Sequence, residues 1–199
     1  MPQVFVSFLA GQEPLLQGSE QKQSLAVIQS QIGNCRQAWQ WLIENRQWEG
    51  VAASLESLYH FFNIRSRFSE GIDLFLPAIA LLKANPTPCD EPLLGTLLAR
   101  VGSLAYYARQ NTLALETLEQ AQEIFLQHVI PQELAFARIS LGGMYLRSKD
   151  FEKALACAQQ NLAYFQQAGD ALGETRALYL HGLIQTRLGK LQESRRLLL

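Results

Sequence analysis

The 199-residue chain has few of the residues that build strands: Val, Ile and Thr together number 22. Leu, Ala and Gln number 34, 22 and 21, so three types that lose little conformational freedom in a helix make up 77 positions. This balance predicts an all-α protein and excludes a parallel-sheet enzyme or a β-sandwich. Charge of either sign is scarce. Charged residues are 18% of the chain and the formal net charge is −1, which leaves no basic field for tracking nucleic acid through its phosphates. Hydrophobic residues reach 48%, enough for a sizeable core and too many for a disordered chain.

Cysteine is also sparse. Cys35, Cys89 and Cys157 are odd in number and widely spaced, without a Cys-x-x-Cys, so they read as free thiols of a cytoplasmic protein. No apolar run approaches the ~18 residues that span a bilayer. Val4–Ala10 is short and follows no Lys or Arg, so it is not a signal peptide, and no membrane partner is expected. Chemistry-bearing constellations are missing as well. His60, His128 and His181 share no ligand spacing with a carboxylate or Cys. No phosphate-cradling Gly-x-x-x-x-Gly-Lys-Ser/Thr and no nucleophile elbow occurs. Catalytic, cofactor and metal sites are therefore not expected.

What the chain does have is helical periodicity. In residues 21–45, Leu25, Ile28, Ile32, Cys35, Trp39 and Leu42 recur at steps of three and four, the period of an amphipathic helix. Further helices are predicted over 48–63, 68–84, 92–109, 111–127, 132–147, 151–168, 170–188 and 190–199. Pro92 and Pro131 suit first-turn positions, and Pro77 predicts a kink. Residues 1–20 read as an N-terminal extension or the remnant of an upstream helix, interrupted by Gly11, Pro14 and Gly18. Trp39, Trp41 and Trp48 cluster closely, and packing explains them better than ligand stacking. The apolar end Leu197–Leu199 predicts that the chain is truncated there.

The pattern repeats. Gly102, Gly142 and Gly182 lie 40 residues apart, each inside a predicted helix, where Gly costs about 0.5–1 kcal/mol against Ala. Such a cost at equal spacing points to a close helix–helix approach. Twelve residues beyond each stands a small residue: Ala114, Ala154 and Ser194. Gly71 holds the same place one unit earlier, where Tyr59 replaces the glycine. The units fall at about 48–84, 92–127, 132–168 and 170–199 within a repeat region spanning 21–199.

These positions resemble the tetratricopeptide repeat. Leu141-Gly142-x-x-Tyr145 followed by Ala154 fits its pattern, as do Gly102, Ala114, Leu118 and Ala121, and Gly182, Gly189 and Ser194. Arg138 departs from it at an apolar position, and Ala105 and Gln185 replace its Tyr. The resemblance implies a right-handed superhelix of helical hairpins, a non-catalytic module that binds a protein or peptide. A narrower resemblance lies in Gly33-Asn34-x-Arg36-x-Ala38-Trp39-x-Trp41 and Leu58-x-x-Phe61-Phe62-x-x-Arg65-x-x-Phe68-x-Glu70-Gly71. These are similar to the repeat region of bacterial signal-transduction ATPases, the STAND class with its LuxR-type and maltose-activator-like transcriptional regulators. That implies the sensor arm of a larger regulator; a stand-alone scaffold is the alternative.

In such a superhelix the first helix of each hairpin lines the concave groove. Counting from the repeat glycine gives Ala99, Ser103 and Tyr107; Ile139, Gly143 and Arg147; and Tyr179, Leu183 and Arg187, with Thr96, Phe136 and Arg176 one turn earlier. The candidate binding residues are Tyr107, Phe136, Ile139, Arg147, Arg176, Tyr179 and Arg187. Arginines interleaved with aromatics suit a peptide or a small anionic inducer. Alternatively the arginines only solvate the groove or pair with Glu133, Glu174 and Asp170. Self-association through the repeat ends is a further expectation.

Overall fold

The structure, a computed structural model, describes residues 2–198. Among them are ten helices: α1 (Pro2–Leu16), α2 (Gln21–Glu44), α3 (Trp48–Ile64), α4 (Phe68–Ala84), α5 (Glu91–Tyr107), α6 (Asn111–Gln127), α7 (Pro131–Arg147), α8 (Phe151–Ala168), α9 (Ala171–Arg187) and α10 (Leu191–Leu198). The described residues contain no strand. The fold is an α-α solenoid of helical hairpins. The apolar end read from the sequence runs outside the described residues at Leu199.

The turns between helices share one geometry. In most of them the middle residue lies in the left-handed region: Arg46, Ser66, Arg109, Val129, Lys149, Gly169 and Gly189. The next N–H then reaches back five residues, as from Gln47 to the Leu42 carbonyl at 2.8 Å and from Asp150 to the Tyr145 carbonyl at 2.9 Å. This closes the helix C-terminus and satisfies carbonyls the helix leaves free. Asp150 and Asp170 cap the following helices by accepting from Lys153 N and Gly173 N. Three-residue turns of this kind leave successive helices antiparallel.

The odd-numbered helices pack side by side in sequence, α1 on α3, α3 on α5, α5 on α7 and α7 on α9. Among the even-numbered helices only α2 and α4 meet. The stack therefore curves with the odd helices on its inner side. Gly71, Gly102 and Gly142 sit at close helix–helix contacts. A Cβ on Gly102 would lie 2.5 Å from Leu118 Cγ and 2.7 Å from Thr117 Oγ1 of α6, and one on Gly142 would lie 2.5 Å from Leu180 Cδ2 of α9. At Gly71 the nearest atom is Leu104 Cδ1 of α5. Ala114 and Ala154 are fully buried, and the Ser194 hydroxyl donates to the Gly182 carbonyl at 2.9 Å.

One expectation fails at the N-terminus. Gly11 and Pro14 do not interrupt regular structure; both lie inside α1. Gly11 faces open space, and the hydrogen bond lost at Pro14 is offset by burial of Val6, Leu9 and Leu16. The Ser57 hydroxyl of α3 also donates to the Leu9 carbonyl at 2.5 Å. With α2, α1 makes one more hairpin of the same kind, its inner helix running parallel to α3.

Candidate binding groove

The inner helices meet at a buried cation. Arg100 of α5 is 4% exposed. Its Nε donates to Glu56 Oε1 of α3 at 2.7 Å, and its two terminal nitrogens grip both oxygens of Glu133 on α7 at 2.8 and 3.0 Å. The guanidinium lies over the Phe136 ring at 3.8 Å and the Tyr59 ring at 5.5 Å. Burial alone would lower the Arg100 pKa; the two carboxylates outweigh it and raise it. The Tyr59 hydroxyl pairs with Ser103 Oγ at 3.0 Å, and burial pushes its pKa to about 12. Three consecutive hairpins are thus clasped by one bidentate ion pair and its partner. On α1, burial and the Glu56 charge raise the pKa of Glu13, against the opposing pull of Arg100.

Gln17, in the turn after α1, shares a hydrogen bond with His60 Nε2 of α3 at 3.2 Å. Burial chiefly lowers the His60 pKa. Glu56 opposes this, and the charges of Arg100 and Arg176 add to it. Burial raises the pKa of Tyr107, which Arg176 partly offsets.

The seven sequence-predicted groove residues fall into distinct places. Arg176 and Tyr179 are exposed on α9, and Tyr107 is half-exposed at the end of α5, its ring stacked on Phe68 at 5.6 Å. Phe136 is half-buried beneath Arg100. Ile139 packs beside Ala135, Phe165 and Ala177. Arg147 lies at the hairpin edge, donating to Asn111 Oδ1 at 2.8 Å and to the Tyr106 carbonyl at 3.3 Å, with its guanidinium 4.4 Å from the Tyr106 ring centre. There it borders a cavity of about 350 Å³ with Leu115 and Met144. Arg187 is exposed at the equivalent place on α9. Ala99 and Ser103, also counted toward the groove, are buried among the helices.

Sequence reasoning missed Glu56, His60, Arg100, Glu13 of α1 and Gln17 in the turn that follows it. A signal for two of them existed. Aligning Tyr59 with the repeat glycines puts Glu56 and His60 at the groove positions of Ala99 and Ser103. Among the described residues, no group of three His, Cys, Asp or Glu is placed to hold a metal ion, and no helix is long and apolar enough to cross a membrane. Cys35, Cys89 and Cys157 are free, and burial raises the thiol pKa of Cys35 and Cys157 to about 11.

No family model matches the chain. It is 25% identical over 140 residues to the regulatory protein RapG of Bacillus subtilis (strain 168), a match covering 70% of this chain. The chain spans only 37% of that relative's length. Among solved structures it is similar to BtubC (BKLC) from P. vanneervenii, with a TM-score of 0.69 at 15% identity, covering 96% of this chain and 82% of the other. The structural likeness extends over nearly the whole chain and shows the fold, an α-α solenoid of helical hairpins.

Proposed function

We propose that the chain is a regulatory binding module that takes a protein or peptide along the concave face of its inner helices. The observation that carries this reading is the groove's composition. Tyr107 and Tyr179 stand exposed on a surface that also holds a free cation and partly buried polar groups, all on helices fixed by packing behind them. Exposed aromatics on rigid elements provide contact area at low entropic cost. The relative's description as a regulatory protein agrees with it. Backbone exchange of the chain with and without a bound peptide, selected from a random hexapeptide display, tests the site. Protection is expected on α5, α7 and α9. Protection confined to α2, α4 and α6 would move binding to the outer face and sink the reading.

Within that reading, the chain serves as the sensor arm of a larger signal-transduction ATPase. The support is the segment from Gly33 to Gly71, with its resemblance to such regulators. Ligand would shift the parent between resting and active forms only by binding the two with different affinity. The coding sequence upstream decides it: a Walker motif there supports the sensor arm, and its absence favours a stand-alone scaffold.

A further inference from the structure

The row of inner helices is covered along its length and open at its two ends. α3, α5 and α7 each lie between two other inner helices. Among the described residues α1 meets only α2 and α3, and α9 meets only α7, α8 and α10. The faces that join inner helices follow a rule. On α7, Ala135 and Ile139 share a cluster with Ala177 of α9, and Leu146 packs with Leu180 and Ile184 of that helix. Forty residues on, the same places on α9 are Thr175, Tyr179 and Thr186. All three are exposed, Tyr179 at 58%. α9 thus presents the face on which a further inner helix would sit.

α1 presents the reverse face. Its buried side, with Val6, Leu9 and Leu16, belongs to the core. Its other side carries Val4, Ser7, Ala10, Gly11 and Pro14, all exposed and none charged. A helix face that ends in water usually carries charge. Glycine inside a helix weakens it unless a close neighbour needs the room. Gly71, Gly102, Gly142 and Gly143 lie hard against neighbouring side chains, but Gly11 on α1 and Gly33 on α2 meet nothing within 4 Å. The two ends also differ in charge. Residues 2–20 hold Glu13 and Glu20 and no Lys or Arg. Residues 171–198 hold Arg176, Arg187, Lys190, Arg195 and Arg196 against Glu174 and Glu193.

We propose that these ends are the two halves of one interface, and that the last hairpin of one copy of the chain docks on the first hairpin of a second copy, head to tail. Tyr179 then lies over Gly11 of the next copy. Tyr106 of α5 packs on Gly143 of α7 in that way within the chain, where a Cβ on the glycine would fall 2.7 Å from the tyrosine hydroxyl oxygen. The basic end meets the acidic end, which favours this polarity over the pairing of like ends. The contact joins unlike faces, so every copy added leaves one α1 and one α9 free, and assembly is open-ended.

Light scattering of the intact chain over a concentration series, without any peptide, tests the joint and does not depend on the groove reading. The average mass is expected to rise with concentration and to pass that of a dimer. Gly11→Glu and Tyr179→Glu should each hold the chain as a monomer, because each spoils one face. Both positions are exposed, and thermal melts of the variants should match the parent. The decisive sample is an equimolar mixture of the two variants. Each supplies the face the other has lost, so the mixture should form a 1:1 pair and grow no further. A chain that stays monomeric at every concentration overturns the proposal. So does a dimer that stops at two copies, association that survives either variant, or a mixture that remains monomeric.

Discussion

The first three hairpins and the last two share a backbone plan but not a filling. Trp39, Phe61, Phe62, Phe75 and Phe125 are all essentially inaccessible, and they belong to one cluster that runs from Val6 to Cys157. Beyond α7 the core divides. Ala154, Ala158, Leu180 and Ile184 form one small cluster, and Ala135, Phe165 and Ala177 another. Polar groups fill part of the difference. Asn161 is buried with its amide donating to the Ala135 carbonyl at 2.9 Å and its own oxygen unpaired. His181 Nδ1 and Gln185 Oε1 are buried without partners. In a stack where each hairpin touches mainly its neighbours, stability is close to a sum of local terms. The aromatic half is therefore the anchor, and the polar half opens at lower free energy.

The largest effect that tests this contrast is truncation of one phenylalanine in each half. Phe75→Ala should cost ~3–5 kcal/mol, the usual range for a fully buried phenylalanine. Phe75 packs against Trp39 at 5.3 Å and Phe62 at 6.4 Å, and neither can move to refill the space. Phe165 is 8% exposed and packs on Ala135, Gly173 and Ala177, with the partly exposed Ile139, Leu162 and Tyr164 free to settle into a vacancy. Phe165→Ala should cost at least about 1 kcal/mol less. Urea denaturation of both variants measures the pair, and equal costs would erase the distinction between the halves.

The same contrast explains which parts of the molecule were legible in its sequence. Helix boundaries were, because apolar spacing and turn residues are local; α7 begins on Pro131 and α8 on Phe151, within a residue of expectation. The close approaches at Gly102 and Gly142 were readable too, since a mid-helix glycine signals a neighbour without identifying it. α1 was not, because Pro14 and Gly11 argue locally against a helix while its stabilisation comes from α3, some 48 residues away at the Ser57–Leu9 contact. The clasp escaped for the same reason. Arg100 lies 44 residues from Glu56 and 33 from Glu133, and only the stacking of consecutive hairpins turns those separations into contact. The candidate groove residues were chosen by one offset rule, which treats every hairpin alike. The rule cannot tell that Arg147 is engaged at an edge while Arg176 is left free.

A middle-sized effect should come from supplying the polar half with the filling it lacks. His181 and Gln185 stand where the preceding hairpins have Leu141 with Tyr145 and Val101 with Ala105. Their one mutual bond, from Gln185 Nε2 to His181 Nε2 at 3.1 Å, leaves the His181 Nδ1–H donor and the Gln185 Oε1 acceptor unpaired. Replacing both with Leu removes two buried orphan groups and adds apolar contact to Leu180 and Ile184. The double variant should gain about 1 kcal/mol, whereas Gln185→Leu alone should gain less because it strips His181 of its partner. A double-mutant cycle by thermal melting measures this. A destabilised double variant would mean that the polar pair is satisfied in solution and that the halves differ less than their packing indicates.

The smallest effect separates the halves by pH. Burial lowers the pKa of His60 in the anchor and of His181 in the polar half, so each is stabilising as the neutral ring above about pH 6.5 and loses that contribution as pH falls through its folded value. Acidification in this range weakens both halves and does not distinguish them. Glu70 does. Its hydrogen bonds from Arg67 are the leading cause that holds its pKa at about 2, and Arg36 adds to it. A carboxylate with a depressed folded pKa stabilises above its unfolded value, near 4.5, and that contribution fades as pH drops from there toward 2. The cluster is substantially exposed, so its worth is under ~1 kcal/mol and is screened by salt. The anchor should therefore show a second, salt-sensitive loss of stability below pH 4.5, visible in the tryptophan fluorescence, since Trp39, Trp41 and Trp48 all lie on α2 and α3. Glu70→Gln should flatten that second slope and leave the fall near pH 6.5 untouched. If the variant still shows the second slope at low salt, the acid response does not come from the Glu70 cluster, and the anchor owes its acid sensitivity to other groups.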